Sequence, residues 1–427
     1  MLQLQFFREQ RTRVETGLRK RNWSDEDIAQ TIDTIIALDD TRRSTQTELD
    51  NTLSEANQLS KKIGILMQSG GHTEGSQLKS VVADLKEKSK ALEAISAKTI
   101  ATLEDILLSL PNIPSDSTPF GKTADDNEVW QECTQPLPEL GENALPHWEV
   151  SAKYGVFDLE LGVKITGAGF PVFRGKGAKL VRALIQFFLD EAAAAGYEEI
   201  IPPIVVNEAS ARGTGQIPDK EGMMYYVPED KLYLIPTAEV PVTNVLRDVI
   251  LTEKDLPTKL CAYSQCFRRE AGSYGAHVRG LNRVHQFDKV EIVQFVKPEN
   301  SEAALLDMVE HIKGLMNKLE LPYRILNLCG GDMGNAAAKT FDFEAWSAAQ
   351  ERWLEVSSVS NFETFQANRL KCRYKDANGK TQLVHTLNGS ALALPRIIAS
   401  ILENHQTAEG VVIPKALRPY TKFDILN

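Results

Sequence analysis

The sequence predicts an α+β protein in which an N-terminal antiparallel two-helix coiled-coil arm precedes a domain built on an antiparallel sheet. Two long runs of apolar residues at helical spacing, separated by a glycine-rich turn, predict the arm. After about residue 146 the pattern changes to helices mixed with alternating strands, such as Lys289–Val296. This part lacks the regular strand–helix alternation of a doubly wound parallel sheet, which favours an antiparallel arrangement.

The composition is that of an ordinary globular protein with more than one domain. At 427 residues the chain is long enough for two or three domains. Hydrophobic residues make up 42% and charged residues 25%, so a sizeable core can be buried. The formal net charge of −10 argues against a protein that coats nucleic acid by bulk attraction. Any nucleic-acid partner must therefore be bound by a local surface.

The cysteines indicate reduced thiols, and the hydropathy pattern indicates a cytoplasmic protein with no membrane partner. No two of the five cysteines have CxxC spacing, so neither a disulfide framework nor a zinc site is expected. The first thirty residues contain no apolar signal-peptide core. No stretch of the chain approaches twenty uncharged apolar residues.

Two helices are predicted in the N-terminal region. The run Asp27–Met67 contains no proline and only one glycine, and its apolar residues follow helical spacing. The glycine-rich stretch Gln68–Gly75 is expected to end that helix, and a second apolar run extends from Leu78 to Ile106. Such a hairpin would be roughly 60 Å long at the helical rise per residue. One narrow apolar seam on long helices favours a projecting arm, with packing inside a bundle as the alternative.

Charge alone does not mark the arm as a nucleic-acid probe. Between Asp39 and Asp105 there are nine Lys and Arg residues against eleven Asp and Glu residues. Lys86, Lys88 and Lys90 form a local basic patch, which a solvated helix face explains equally well.

The chain is expected to divide into three regions. Residues 1–112 form an N-terminal domain carrying the helical hairpin, and residues 146–427 form the antiparallel α+β domain. Between them, residues 113–145 are rich in proline, glycine and acidic residues without a clear period, which is typical of a linker.

Familiar nucleotide-binding motifs are missing, and one hairpin carries the chemistry instead. The sequence has no GxxxxGK[ST], and no glycine pair extends to GxGxxG. Side-chain alternation places Arg268 and Glu270 on one face before a loop at 271–280. After the loop, Phe287, Lys289 and Glu291 likewise share a face. A guanidinium, an aromatic ring and a carboxylate on one surface suit an adenylate, although a half-exposed hairpin with cross-strand ion pairs has the same pattern.

Three ordered segments resemble the signature motifs of class II aminoacyl-tRNA synthetases. Phe267–Glu270 resembles the FRxE signature of motif 2, within about 260–295. Gly196–Pro203 resembles motif 1, within about 179–204, whose proline belongs to a dimer interface in that class. His385–Arg396 resembles motif 3, within about 385–405. The resemblance implies a class II synthetase antiparallel-sheet catalytic domain at 146–427 and a homodimer.

Within that class, essentially the whole chain resembles the seryl-tRNA synthetase family of bacterial type. The matching segments, in order, are Gly213–Pro218, Pro236–Pro241, Arg279–Phe287, Glu355–Ser358 and Thr386–Ser390. The resemblance implies ATP-dependent ligation of L-serine to serine tRNA through a seryl-adenylate. The N-terminal domain would bind the long variable arm of serine tRNA, and the 271–280 loop would meet the acceptor end. Whether selenocysteine tRNA is also charged stays open.

The resemblance also assigns roles to individual residues. ATP, L-serine and Mg²⁺ are the expected ligands. The residues expected to act in catalysis are Arg268, Arg396 and Glu355. Those expected to bind ATP are Arg268, Arg269, Glu270, Phe287, Glu355, Val356, Ser357, Ser358 and Arg396. Those expected to bind serine are Thr237, Ala238, Glu239, Arg268, Glu291 and Ser390. Glu355 and Ser358 would hold Mg²⁺ together with the ATP phosphates.

Two other functions remain open from the residues alone. A synthetase-like amino acid:carrier-protein ligase would share the catalytic motifs, but such relatives lack a long tRNA-binding hairpin. The other alternative is an interaction protein with a decayed catalytic domain. The sequence argues against decay because it retains four residues together: Arg268, Glu270, Glu355 and Arg396.

Overall fold

The computed structural model of the protein describes residues 1–141, 144–219, 222–270 and 279–427. Within them the chain forms two compact units. One comprises residues 2–19 and 23–110, and the other comprises residue 1, residues 20–22 and residues 111–427. None of the helices in these ranges is both long and apolar enough to cross a membrane.

The N-terminal unit is helical, as the sequence predicts. Its helices are α1 (Leu4–Glu9), α2 (Arg11–Lys20), α3 (Asp25–Gln68) and α4 (His72–Ser109). The hydroxyl of Ser24 caps α3 by accepting a 3.1 Å hydrogen bond from the main-chain nitrogen of Asp27. Lys62 pairs with Glu74 and Glu48 pairs with Lys88, which shows that α3 and α4 are antiparallel neighbours.

The turn between the long helices is shorter than predicted. Only residues 69–71 interrupt the helices, and Gly75 lies inside α4 rather than in the turn. Gly70 has a φ of +87°, which suits a residue without a side chain. A Cβ at Gly75 would lie 3.1 Å from Met67 Sδ, so glycine here allows the two helices to approach closely.

Charged residues that interrupt the apolar pattern of the arm are paired. Asp39 of α3 is buried and forms ion pairs with Arg8, Arg42 and Arg43. Burial opposes its ionisation, but hydrogen bonds from Arg42 and Arg8 outweigh that effect and lower the pKa of Asp39. On α4, Lys88 pairs with Glu48 at 2.7 Å and Lys90 with Glu87 at 2.9 Å. The basic patch is therefore partly neutralised.

The second unit contains the remaining helices and all the strands of the described chain. The helices are α5 (His147–Tyr154), α6 (Leu159–Ile165), α7 (Gly175–Ala194), α8 (Glu208–Thr214), α9 (Glu239–Asn244), α10 (Ser301–Lys318), α11 (Thr364–Leu370), α12 (Leu394–Asn404) and α13 (Arg418–Thr421). The strands are β1 (Glu128–Gln131), β2 (Phe157–Asp158), β3 (Val172–Phe173), β4 (Glu198–Glu199), β5 (Val205–Asn207), β6 (Tyr226–Val227), β7 (Leu232–Leu234), β8 (Ile250–Thr252), β9 (Thr258–Phe267), β10 (Gln286–Val296), β11 (Tyr323–Asn327), β12 (Lys339–Ser347), β13 (Arg352–Asn361), β14 (Arg373–Lys375), β15 (Thr381–Leu383), β16 (His385–Ala393), β17 (Val411–Val412) and β18 (Ile425–Leu426).

An eight-stranded sheet organises this unit, in the order β1-β11-β12-β13-β16-β10-β9-β4. Every neighbouring pair is antiparallel except β4 and β9. The predicted antiparallel α+β class is therefore confirmed. Strand β1 lies inside the stretch 113–145 that was predicted to be a linker, and it pairs with β11 at the sheet edge. Part of this stretch therefore contributes a strand to the sheet.

The main core lies between one face of the sheet and the helices α7, α10 and α12. Leu184 of α7, Ile312 of α10 and Ile397 of α12 are fully buried there. Each such side chain stabilises the fold by about 1.5–3 kcal/mol relative to leaving it exposed. On β10, Val290 and Ile292 point into this core. Strand alternation then directs Phe287, Lys289 and Glu291 to the opposite face, which is free to carry polar groups.

Candidate active site

Two neighbouring cavities lie on the sheet face opposite the helical core, with volumes of about 410 Å³ and about 140 Å³. Strands β10, β13 and β16 contribute to both. Four residues line both cavities and therefore mark the place where they meet: Arg268, Lys289, Glu355 and Ser390.

The larger cavity contains the polar residues expected to bind serine. The pairing of β10 with β16 sets Glu291 opposite Ser390, and the Ser390 hydroxyl donates to Glu291 Oε2 at 3.5 Å. Thr237, just before α9, donates to the same oxygen at 3.4 Å. Glu239, at the start of α9, also lines this cavity. Two carboxylates and two hydroxyls thus converge, a set that can accept from an ammonium group and bind a hydroxyl.

Glu239 is held in a buried, hydrogen-bonded environment. Its side chain is buried, and Gln366 Nε2 donates to Glu239 Oε1 at 2.5 Å. The Gln366 amide is oriented in turn by Thr386, which donates to its oxygen at 2.7 Å. Burial, with the nearby charge of Glu291, raises the pKa of Glu239 to about 7. The ionisation of Glu239 is therefore sensitive to pH in the neutral range.

The smaller cavity contains an aromatic ring between charged groups. Phe287, Glu270 and Arg268 all line it. The Arg268 guanidinium carbon lies 5.2 Å from the centre of the Phe287 ring, and Arg268 Nε donates to the Pro236 carbonyl at 3.3 Å. Glu270 follows β9 with a φ of +48° and pairs with Arg283 at 3.0 Å. A flat ring beside a carboxylate and a guanidinium suits a purine nucleotide.

Arg396 enters the same cavity from the start of α12. Its Nη1 donates to the Glu355 carbonyl at 2.7 Å and to Glu355 Oε2 at 3.3 Å, while its Nε donates to the Asn282 carbonyl at 3.0 Å. Arg268 and Arg396, both expected to bind ATP, line one cavity. The motif 3 pattern of a strand followed by a helix is present as β16 and α12.

The oxygen ligands expected to hold magnesium lie at the border of the larger cavity. Glu355 and Ser358 of β13 both line it. Asp342 is the cross-strand partner of Ser358 on β12, and its buried Oδ1 has no hydrogen-bond partner among the described residues. Burial and the neighbouring Glu355 raise the pKa of Asp342. An all-oxygen set next to an unsatisfied carboxylate oxygen fits Mg²⁺. In the described ranges, no three His, Cys, Asp or Glu residues group as a metal site, so phosphate oxygens would have to complete the coordination.

Some predicted site residues lie elsewhere. The side chain of Arg269, two residues beyond the end of β9, is exposed and lines neither cavity. Ala238 is fully buried and also lines neither cavity. Val356 and Ser357 line the smaller cavity. Most of the loop expected to meet the acceptor end of tRNA, residues 271–278, lies outside the described residues.

Several site residues carried no assignment from the sequence. Lys289 was predicted to share a face with Phe287 and Glu291, and that alternation was the available signal. A buried pair, His147 Nδ1 and Glu403 Oε1 at 2.7 Å, had no signal because 256 positions separate the two residues. His147 Nε2 accepts from the Leu281 main-chain nitrogen at 2.8 Å. Leu281 adjoins Asn282, so this pair anchors the segment that contacts Arg396.

Comparisons with known proteins agree with this geometry, first at the level of the class. The family model described as tRNA synthetase class II core domain (G, H, P, S and T) matches residues 225–405, which carry six of the eight sheet strands, most of the lining of the two cavities and the two arginines. The fold and the site are therefore those of a class II synthetase core. The model described as seryl-tRNA synthetase N-terminal domain matches residues 1–114.

Relatives along the whole chain then specify the family. A serine–tRNA ligase from Salinibacter ruber is 50% identical over 99% of this chain and 98% of its own length. The crystal structure of seryl-tRNA synthetase from Pyrococcus horikoshii complexed with ATP has a TM-score of 0.89 at 33% identity, covering 100% of this chain and 99% of that one. A cytoplasmic serine–tRNA ligase from Naegleria fowleri in complex with AMP has a TM-score of 0.87 at 28% identity, with the same coverage. The chain belongs to the seryl-tRNA synthetase family.

Proposed function

We infer that the chain catalyses the ATP-dependent ligation of L-serine to serine tRNA through a seryl-adenylate. The observation that carries this inference is the junction of two unlike cavities at Arg268. One side offers buried carboxylates and hydroxyls, and the other offers an aromatic ring and a second arginine. An amino acid and a nucleotide bound in these cavities would meet at Arg268. The names of the full-length relatives support the same reaction.

In the first step, the serine carboxylate would attack the α-phosphorus of ATP and release pyrophosphate. The carboxylate is already a nucleophile, so the step needs no general base and depends on positioning and on neutralisation of phosphate charge. We propose that Arg268 binds the serine carboxylate and the α-phosphate, and that Arg396 binds the terminal phosphate. A planar guanidinium with several donors suits these oxyanions better than an ammonium group does.

We further propose that the smaller cavity holds the adenosine. Phe287 would stack on the base, and Glu270 would accept from the adenine amine. Val356 and Ser357 line the same cavity. Arg269, which follows Arg268 in the chain, would reach the nucleotide from outside the cavity. Glu355 and Ser358 would hold Mg²⁺, whose chemistry is the neutralisation of charge on the triphosphate. The all-oxygen surroundings of these two residues support that assignment.

Serine would occupy the larger cavity. We propose that Glu291 and Thr237 bind its ammonium group, that Glu239 and Ser390 bind its hydroxyl, and that the buried Ala238 positions Thr237 and Glu239, its neighbours in the chain. The convergence of the Thr237 and Ser390 hydroxyls on Glu291 supports a site for a small, polar amino acid. A ligand without the hydroxyl would leave buried polar groups unpaired, which disfavours its binding.

The partners form the remaining part of the proposal. Residues 1–112 would bind serine tRNA through the α3–α4 hairpin, residues 113–145 would join the parts, and residues 146–427 would carry out catalysis. A homodimer is supported by apolar side chains after the motif 1 strand, where Ile201 is 90% exposed and Ile204 is 38% exposed. A cytoplasmic location follows from the proposed reaction, since its substrates are components of protein synthesis.

A pyrophosphate-exchange assay tests the proposed function. Purified protein is incubated with ATP, labelled pyrophosphate and each small amino acid in turn, and exchange is expected with serine. Subsequent transfer to serine tRNA is then measured. Transfer to a carrier protein without transfer to tRNA would favour the carrier-protein ligase, which the full-length relatives do not favour. Absence of any exchange would contradict both enzyme functions.

A further inference from the structure

Lys289 is a buried cation at the centre of the candidate site that has no role in the proposed function so far. It lies on β10 midway between Phe287 and Glu291, and it is 5% exposed. Its Nζ lies 2.5 Å from Glu291 Oε2 and donates to Thr237 Oγ1 at 2.7 Å. It is one of the residues that line both cavities.

The hydrogen-bonding capacity of this ammonium group is only partly used. Burial of a charged amine is costly unless the amine is paired and hydrogen-bonded. A lysine ammonium has three donors, and Nζ directs two of them to Glu291 and Thr237. Within the described ranges these are its polar contacts to protein atoms. The third N–H therefore remains for a ligand at the junction that the residue borders.

The charges around Nζ indicate what that ligand must be. Glu291 and Glu239 supply carboxylates, and Arg268 is the other cation at the junction. Arg268 already uses its Nε for the Pro236 carbonyl. An incoming amino acid adds an ammonium, which suits Glu291, and a carboxylate, which needs a cation within hydrogen-bond reach. Lys289 contacts Glu291, which would bind the ammonium group, and it also borders the junction where the carboxylate would lie.

We propose that Lys289 is a further substrate-binding residue, whose third N–H contacts the carboxylate of bound serine and holds it beside Arg268 for reaction. The proposal rests on the proposed function and deepens it. In that step, a carboxylate oxygen forms a bond to the α-phosphorus, the bond from the α-phosphorus to the bridging oxygen breaks, and pyrophosphate leaves with the electron pair. No proton moves. Lys289 would thereby contact both the serine carboxylate and Glu291, the residue proposed to bind the serine ammonium group.

A purely structural role is the competing explanation, and an analogue separates the two. L-serinamide keeps the ammonium and hydroxyl groups of serine but replaces the carboxylate by a neutral amide. Dissociation constants of L-serine and L-serinamide are measured by calorimetry on the full-length wild type and on Lys289→Met. Loss of a charge-assisted hydrogen bond should weaken L-serine binding by about tenfold or more. L-serinamide binding should change much less, so the ratio of the two constants should rise about tenfold.

Matched variants make the result decisive. Lys289→Gln keeps a donor for Glu291 without the charge, and the same rise in the ratio is expected. This variant replaces Lys289→Met as the test if Lys289→Met folds poorly. Lys339→Met removes another buried lysine of the same sheet, one that pairs with the exposed Glu302 and lines neither cavity. It should leave the ratio unchanged.

Equal weakening of both ligands in the Lys289 variants would overturn the proposal and leave Lys289 a structural partner of Glu291. Lack of serine-dependent exchange in the wild type would instead refute the proposed function. In steady-state exchange assays, the Lys289 variants should raise KM for serine and lower kcat, with KM for ATP unchanged.

Discussion

Arg396 Nη1, at the start of α12, lies 2.7 Å from the main-chain oxygen and 3.3 Å from Oε2 of Glu355 on β13. The Asn282 carbonyl accepts from Nε of the same guanidinium. Helix α12, strand β13 and the segment before β10 thus hold one side chain in place before any ligand arrives. Such preorganisation is what stabilisation of a charged transition state requires. The arginine expected at the terminal phosphate and the carboxylate expected at Mg²⁺ are therefore coupled.

Replacement of Arg396 by lysine should impair the use of ATP. Arg396→Lys keeps the charge but loses the fork of donors, so kcat/KM for ATP in pyrophosphate exchange should fall about a hundredfold, the scale for loss of one oriented donor. The matched control is Arg418→Lys, which alters another arginine at the start of a helix, one that lines neither cavity. Unchanged ATP kinetics in Arg396→Lys would contradict the proposed role of Arg396 in ATP binding.

Neutralisation of Glu355 should change the dependence on magnesium. In Glu355→Gln, the Mg²⁺ concentration for half-maximal exchange should rise by at least about tenfold. Loss of even a residue that only contacts a metal ligand typically lowers metal affinity about tenfold or more. Glu344→Gln is the control, because Glu344 is the cross-strand neighbour of Glu355, pairs with Arg324 and lines neither cavity. The same titration curve for both variants would argue against Glu355 as a ligand.

Removal of the Glu291 carboxylate should abolish activation of serine. Glu291→Ala deletes the group on which Thr237, Ser390 and Lys289 converge, so serine-dependent exchange should fall to background. The oligomeric state, measured by light scattering, should not change, since Glu291 lines the cavity and not the outer surface. Glu302→Ala, which removes an exposed carboxylate that lines neither cavity, serves as the control. Exchange near the wild-type rate in Glu291→Ala would refute its assignment to serine.

The helical arm should be dispensable for adenylate formation but required for tRNA charging. Replacement of residues 40–105 by a short glycine–serine linker joins α3 to α4, whose axes should lie about 8–10 Å apart as packed neighbours. Pyrophosphate exchange should persist, because both cavities lie in the other unit. Transfer of serine to serine tRNA should be lost. Normal charging by the shortened chain would discredit the proposed tRNA-binding role.

The buried Glu239 should make stability depend on pH. Its pKa is raised to about 7 from an ordinary value of 4.5, so the folded chain keeps this proton to a higher pH than the unfolded chain does. Linkage then lowers the free energy of unfolding as pH rises from about 4.5 through 7, by about 3 kcal/mol in total.

A pair of variants measures this effect. The side chain at position 239 cannot ionise in Glu239→Gln. The thermal-unfolding midpoint of this variant minus that of the wild type should therefore increase from pH 5 to pH 8. Glu208→Gln is the matched control, since Glu208 also begins a short helix but is exposed. Parallel pH profiles for wild type and Glu239→Gln would contradict the raised pKa.

Much of the architecture was predictable because it depends on local patterns. Helical spacing of apolar residues predicted α3 and α4, since an amphipathic helix repeats its buried face every three to four residues. Side-chain alternation placed Phe287, Lys289 and Glu291 on one face for an equally local reason. The detail of the turn was missed, because Gly75 serves a contact with Met67 on the facing helix rather than a change of chain direction.

The site was predictable only in part. Arg268 and Arg396 could be named from their motifs, but the order of the strands decides that they line one cavity. Arg268 follows β9 and Arg396 follows β16, and β10 lies between these two strands in the sheet. About a hundred residues separate β10 from β16 in the chain. The strand β1 within the expected linker and the buried His147–Glu403 pair had no local signal. Such contacts depend on which distant segments the fold brings together.

The sequence by itself therefore determined the helical hairpin, the α+β class and the residue types available for adenylate chemistry, because these follow from periodicity and from short motifs. Only the tertiary structure decided that Lys289 turns its ammonium group toward Glu291 and Thr237, and that Glu239 is buried deeply enough to titrate near neutral pH. Pairing and desolvation are properties of a three-dimensional environment, and no single stretch of chain contains them.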